Sequence, residues 1–260
     1  MVKQSKSAQR RNTDTPVKPS ARYQPLPRGD SAPPERMDGR CERWRKALLS
    51  IDLQYLGCAE GFGVFENHRR SGVSEDAIRY YLKRVNEVVT PNVSKLQDYF
   101  RAQGHEVIHC HIQSLTQDGR DRSPEHKALG LHAAPGSRLA EFLPGVEPQA
   151  DEIVINKTAS GVFISTNIEF ILRNLCISDL YLAGVATNEC VSSAARSACD
   201  LGFRVFVISD ATAGITEELH RASLLTMKDR YAKVLSCTDV LKLLANEEQA
   251  DNESDSGFSQ

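Results

Sequence analysis

Short apolar runs that alternate with longer segments of helical spacing constrain this chain more than any other feature. The runs are residues 47–51 (ALLSI), 107–112 (VIHCHI), 153–155 (IVI), 180–185 (LYLAGV) and 205–208 (VFVI), most of them rich in β-branched residues. Between them, residues 78–100 repeat apolar side chains every three or four positions. Ile168, Ile171, Leu172 and Leu175 do the same, as do Val191, Ala194, Ala195 and Ala198, and residues 219–234 and 240–244 complete the pattern. Strands interleaved with helices predict an α/β fold: a single three-layer domain, its sheet mostly parallel with helices on both faces. Thr216 and Thr238 are the expected N-caps, and Gly202 stands where the helix before it should stop. Neither GxGxxG nor GxxxxGK occurs, so no phosphate-cradling loop is expected.

Charge sets the domain limits. Residues 1–46 carry 12 Lys/Arg against 5 Asp/Glu and six of the 11 prolines, while residues 246–260 carry five acids and no base. Neither end has the apolar periodicity that offsets the entropy of ordering a chain. The expectation is a disordered basic, Pro-rich tail over 1–44, a folded domain over 45–245 and a disordered acidic tail over 246–260. The basic tail reads as a solvated extension; nucleic acid is not the expected partner, and a targeting role stays open. No stretch approaches the ~20 apolar residues of a membrane span, which points to a soluble, cytoplasmic protein with no membrane partner. Seven cysteines form no CxxC pair and no metal-like spacing with histidine, and so read as reduced thiols.

Ligands of open parallel sheets bind beyond the carboxyl ends of the strands, so the residues just past each run are the candidates for chemistry. Asp52 follows ALLSI, Lys157 follows IVI with Asn156 between, and Cys190 follows LYLAGV after a short turn. Cys190 is either a small buried hydrophobe or a nucleophile; at the first turn of a helix its thiol should acidify. If the three converge, Asp52 takes the thiol proton, Lys157 stabilises the thiolate, and backbone N–H groups of the turn receive the oxyanion.

These motifs, Asp52-Leu53-Gln54, Lys157-Thr158-Ala159-Ser160-Gly161-Val162-Phe163 and Gly184-Val185-Ala186-Thr187-Asn188-Glu189-Cys190-Val191, resemble the isochorismatase-like cysteine hydrolase family over about residues 45–245. That family includes nicotinamidases, N-carbamoylsarcosine amidases, ureidoacrylate amidohydrolases and biuret hydrolases. The resemblance implies the isochorismatase-like hydrolase fold, a Cys190–Asp52–Lys157 triad, a cis peptide between Val185 and Ala186, and an oxyanion hole from the N–H groups of Ala186 and Cys190. It also implies a homo-oligomer. The Asp-x-His metal arrangement of nicotinamidases is absent from His111-Ile112-Gln113-Ser114-Leu115, so neither a metal nor another cofactor is expected, and nicotinamide is disfavoured as substrate.

The expected activity is hydrolysis of a C–N bond in a small amide or ureido/carbamoyl substrate through a thioester. The alternatives are a non-catalytic member serving as an oligomeric binding or scaffold protein, and an ester or thioester hydrolase on the same fold. Candidate substrate contacts are Gln54, His111, Arg120, Arg122 and Phe163, with Phe62 or Phe65 as aromatic contacts. Arg120 and Arg122 could grip a substrate carboxylate or simply belong to a solvated loop. His109 reads as a core histidine.

Overall fold

The structure is a computed structural model that describes residues 45–66 and 72–256. The expected basic tail, residues 1–44, lies outside the described residues. Six strands form one sheet: β1 Arg45–Ile51, β2 Glu106–Ile112, β3 Ile153–Lys157, β4 Ile177–Val185, β5 Arg204–Ala213 and β6 Lys233–Leu235. All neighbouring pairs are parallel, in the order β3-β2-β1-β4-β5-β6. The order reverses direction at β1, so the β1/β4 boundary is the topological switch point of a doubly wound sheet.

The main helices are α1 Glu75–Arg84, α2 Thr90–Ala102, α3 Pro124–Ala128, α4 Ile168–Asn174, α5 Ser192–Asp200, α6 Glu217–Met227 and α7 Cys237–Ser256. A π-type stretch, Val85–Val89, joins α1 to α2 without a break, which matches the unbroken apolar spacing of residues 78–100.

Strand residues alternate between two cores. Leu48, Val107, Tyr181 and Phe206 pack with Val85, Val93, Leu96 and Phe100 and with Val240 and Leu244 of α7. Leu49, Ile108, Leu182 and Val207 pack on the other face with Leu172, Ala194, Ala198 and Met227. Successive side chains of a strand point to opposite faces, so each continuous apolar run supplies both layers.

Three expectations need correction. The last helix runs on to Ser256, so the segment from 246 is not a disordered tail as far as that residue; only 257–260 lie outside the described residues. Two of its acids have partners: Glu247 pairs with Lys46 at 3.3 Å, and Glu248 accepts a hydrogen bond from the Tyr99 hydroxyl at 3.0 Å. The N-cap of that helix is Ser236 rather than Thr238, because the Ser236 Oγ accepts from the Asp239 N–H at 3.1 Å. Cys176 is disulfide-bonded, so the reading of all seven cysteines as reduced thiols fails there; Cys58, Cys110, Cys190, Cys199 and Cys237 are free. Thr216 caps α6 as expected, accepting from the Leu219 N–H. Among the described residues no helix is long and apolar enough to cross a membrane.

The switch point depends on one glycine. Gly184 sits opposite Ile51 with φ +110°, and a Cβ there would lie 2.0 Å from the Ile51 carbonyl oxygen. Gly184→Ala should therefore destabilise the fold by about 3 kcal/mol or more, since overpacking and a forbidden φ add. Urea denaturation checks this; a loss below about 1 kcal/mol would show that β1 and β4 can separate at low cost.

Candidate active site

Three strand ends deliver the candidate residues. Asp52 follows β1 directly; its N–H donates to the Cys110 carbonyl at 2.8 Å, and its φ of +55° then turns the chain out of the sheet. Lys157 is the last residue of β3, in register with Ile112 of β2, and is wholly buried. Beyond β4 the Val185–Ala186 peptide is cis, as expected. A widened turn, Thr187–Val191, follows and carries Cys190 into α5.

The three side chains meet. Lys157 Nζ lies 2.9 Å from Asp52 Oδ2 and donates to Cys190 Sγ at 3.3 Å and to the Ala159 carbonyl at 3.2 Å. Of the ammonium's three protons, two have hydrogen-bond acceptors in the sulfur and the carbonyl, and Asp52 supplies the opposite charge. The Asp52 carboxylate has room for more: neither oxygen receives a well-aligned hydrogen bond among the described residues, although the ammonium stands close. Asp52 and Cys190 are nearly as buried as Lys157.

Burial alone would lower the Lys157 pKa, but Asp52 first and then Cys190 push it above the ordinary lysine value. The lysine is therefore a fixed cation. The Cys190 thiol moves the other way from expectation. Burial first, then the charge of Asp52, raise it to about 12, and Lys157 offsets only part of that. The helix-start position does not acidify this thiol, because desolvation outweighs the ~0.5 charge of a helix terminus.

The turn before α5 presents the amides. The N–H groups of Glu189 and Val191 both donate to the Ala186 carbonyl, at 3.0 and 3.2 Å. Those of Ala186 and Cys190 donate to no backbone carbonyl outside their own helix or strand, among the described residues.

The isochorismatase domain family matches residues 46–239. The chain belongs to that family. It is 30% identical over 196 residues to a probable inactive nicotinamidase of Arabidopsis thaliana, covering 72% of this chain and 91% of that protein. It is 29% identical over 109 residues to a maleamate amidohydrolase of Pseudomonas putida, covering 42% of this chain and 51% of that protein. An isochorismatase family protein from Desulfovibrio vulgaris has the same fold, with a TM-score of 0.64 at 23% identity over 78% of this chain and all of that one.

The other candidate contacts of this isochorismatase-family chain have partners of their own. Gln54 is buried, and its amide is occupied: Nε2 donates to the carbonyls of Ile112 and Leu139, and Oε1 accepts from the Ile112 N–H. His111 uses both ring nitrogens, on the Ala140 carbonyl and Asn156 Oδ1, each at 2.7 Å, and stacks on Phe142. Arg122 donates to the carbonyls of Gly119 and Leu131, and exposed Arg120 pairs with Asp118. Phe163 packs on the α4/α5 core near Phe203. Phe62 lies edge-on to Tyr55, and Phe65 leans on Tyr81. His109 is buried, its Nε2 2.9 Å from Glu152. Among the described residues, no group of three or more His, Cys, Asp or Glu is arranged to hold a metal ion.

One residue at the site carries no sequence signal. His126 of α3 is fully buried, its Nε2 3.4 Å from Ser160 Oγ and its Nδ1 without a hydrogen-bond partner among the described residues. Burial first, then the charges of Lys157 and Arg122, lower its pKa to about 4, so it stays neutral near pH 7.

A thiol raised to about 12 holds its proton through neutral pH, and its thiolate fraction grows tenfold per pH unit. Alkylation of Cys190 by iodoacetamide, followed by mass spectrometry of its peptide, should rise log-linearly from about pH 7 to 10. A plateau reached below about pH 8 would show an acidic thiol instead.

Proposed function

We propose that the protein is a cysteine-dependent hydrolase that cleaves a C–N bond of a small amide or ureido/carbamoyl substrate through a thioester. One observation carries this reading: a buried lysine ammonium within 2.9 Å of a carboxylate and 3.3 Å of a sulfur. Similarity to a maleamate amidohydrolase supports an amide as the substrate.

Asp52 is the base. With the ammonium donating to the sulfur, the thiol proton is free to pass to the carboxylate as the sulfur attacks the substrate carbonyl carbon. Lys157 then stands beside the sulfur as its charge develops. The oxyanion takes hydrogen bonds from the Ala186 and Cys190 amides. As the tetrahedral intermediate collapses, Asp52 returns its proton to the leaving nitrogen and ammonia or an amine departs. Water, deprotonated by Asp52, adds to the thioester; the acid leaves and the thiol is restored. No cofactor takes part in these steps. His126, whose Nε2 lies beside Ser160 and whose Nδ1 has no hydrogen-bond partner among the described residues, is the polar residue best suited to contact the substrate.

A scaffold role is disfavoured by the same buried ions. Replacing a buried ion pair with apolar side chains is often neutral or stabilising, so a domain without chemistry gains nothing from Lys157 at this position. The small-molecule substrate is the principal partner. Self-association fits Ile164 and Phe170, apolar side chains left exposed on neighbouring helical turns.

Ammonia release should be screened across primary amides, ureido acids, biuret and N-carbamoyl amino acids. Cys190→Ser and Cys190→Ala should abolish turnover. Asp52→Asn should lower kcat by about 10²–10⁴-fold, the usual contribution of a positioned acid/base. Comparable turnover by Cys190→Ala would refute the nucleophile.

A further inference from the structure

A second cluster of buried polar groups lies behind the nucleophile turn and has no part in the steps above. His220, in the first turn of α6, is buried; its Nδ1 lies 2.9 Å from the Thr187 hydroxyl and its Nε2 3.0 Å from Nη2 of Arg84. The same guanidinium donates to the Ser209 carbonyl at 2.9 Å and to the Thr212 carbonyl at 3.1 Å. Those carbonyls belong to the segment where β5 slips its register against β4, between Val207 and Thr212. Helix α6 also approaches the turn closely: a Cβ on Gly214 would lie 2.9 Å from the His220 nitrogen and 3.2 Å from Asn188 Oδ1.

The guanidinium decides the direction of these hydrogen bonds. Arginine can only donate, so His220 Nε2 accepts, and the neutral ring carries its proton on Nδ1 and donates to Thr187 Oγ1. Burial first, and then the charge of Arg84, keep this imidazole neutral through the physiological range. The chain runs one way, from Arg84 to His220 to Thr187. It ends on the residue after Ala186 and three before Cys190, between the two amides assigned to the oxyanion.

We propose that Arg84 and His220 are positioning residues for the nucleophile turn: through Thr187 they hold the Ala186 and Cys190 amides in the geometry that receives the oxyanion. This rests on covalent chemistry at Cys190 as proposed above.

Acetaldehyde tests it without knowledge of the substrate. The Cys190 sulfur bonds to the aldehyde carbon, the carbonyl π pair moves to oxygen, and the thiol proton travels by way of Asp52 to that oxygen. Alkylation by iodoacetamide needs the sulfur but no oxyanion donor. Protection of Cys190 from iodoacetamide by increasing acetaldehyde gives the aldehyde Kd in the full-length protein. In His220→Leu and in the isosteric Thr187→Val, that Kd should rise about tenfold or more, with alkylation in the absence of aldehyde unchanged within about threefold. His220→Asn, which returns an N–H near the position of Nδ1, should recover most of the affinity. The proposal is overturned by an unchanged Kd in both variants, by Asn behaving like Leu, by alkylation falling in step with affinity, or by absence of protection in the wild type. Wild-type protection without ammonia release from any amide would instead refute the amide reading and leave this one standing.

Discussion

The buried contact between Lys157 and Asp52 governs the architecture around it. An ammonium without exposed surface costs several kcal/mol unless its charge and its protons are matched. Here a carboxylate, a sulfur and a carbonyl take those roles. Each comes from a different segment, so the end of β1, the end of β3 and the turn after β4 must all be in place before the lysine can be buried. The close approach at Gly184, the left-handed turn at Asp52 and the reversal of strand order at β1 bring those segments together.

The same burial shapes the chemistry. A sulfur in a dry site beside a carboxylate keeps its proton, and the neighbouring cation offsets that only in part. Such a site resembles a loaded acid–base pair more than a standing thiolate. In the proposed reaction, proton transfer is coupled to attack on the carbonyl, with the cation and the turn amides stabilising charge as it appears rather than before. The thiol is also less exposed to idle oxidation in the absence of substrate.

Much of this was legible in the sequence. Five strands coincide with apolar runs, because buried parallel strands need both faces apolar, and the trio could be located because each member lies at or just past such a run. Strand β6 leaves no mark in the sequence: its three residues, Lys233–Leu235, are too few to show a period and overlap the expected helical run to Val234. The acids after residue 246 looked like a solvated tail, since their partners Lys46 and Tyr99 lie about 150–200 residues earlier in the chain, beyond any local pattern. Gln54 and Arg122 could not be assigned for a similar reason. Their hydrogen bonds end on carbonyls of residues 112, 119, 131 and 139, and a carbonyl has no residue identity. Helix position, which can be read locally, points to an acidic thiol at Cys190, whereas the burial that outweighs it depends on the whole fold.

The central claim is that an acyl group spends part of each turnover on one sulfur. Rapid acid quench during steady turnover, followed by mass spectrometry of the Cys190 peptide, tests it most directly. The account predicts an added mass equal to the acyl portion of the substrate, present only while substrate lasts and removed by hydroxylamine. Steady product formation under conditions that trap thioesters, with the Cys190 peptide unmodified and the acyl group on another residue, would contradict it.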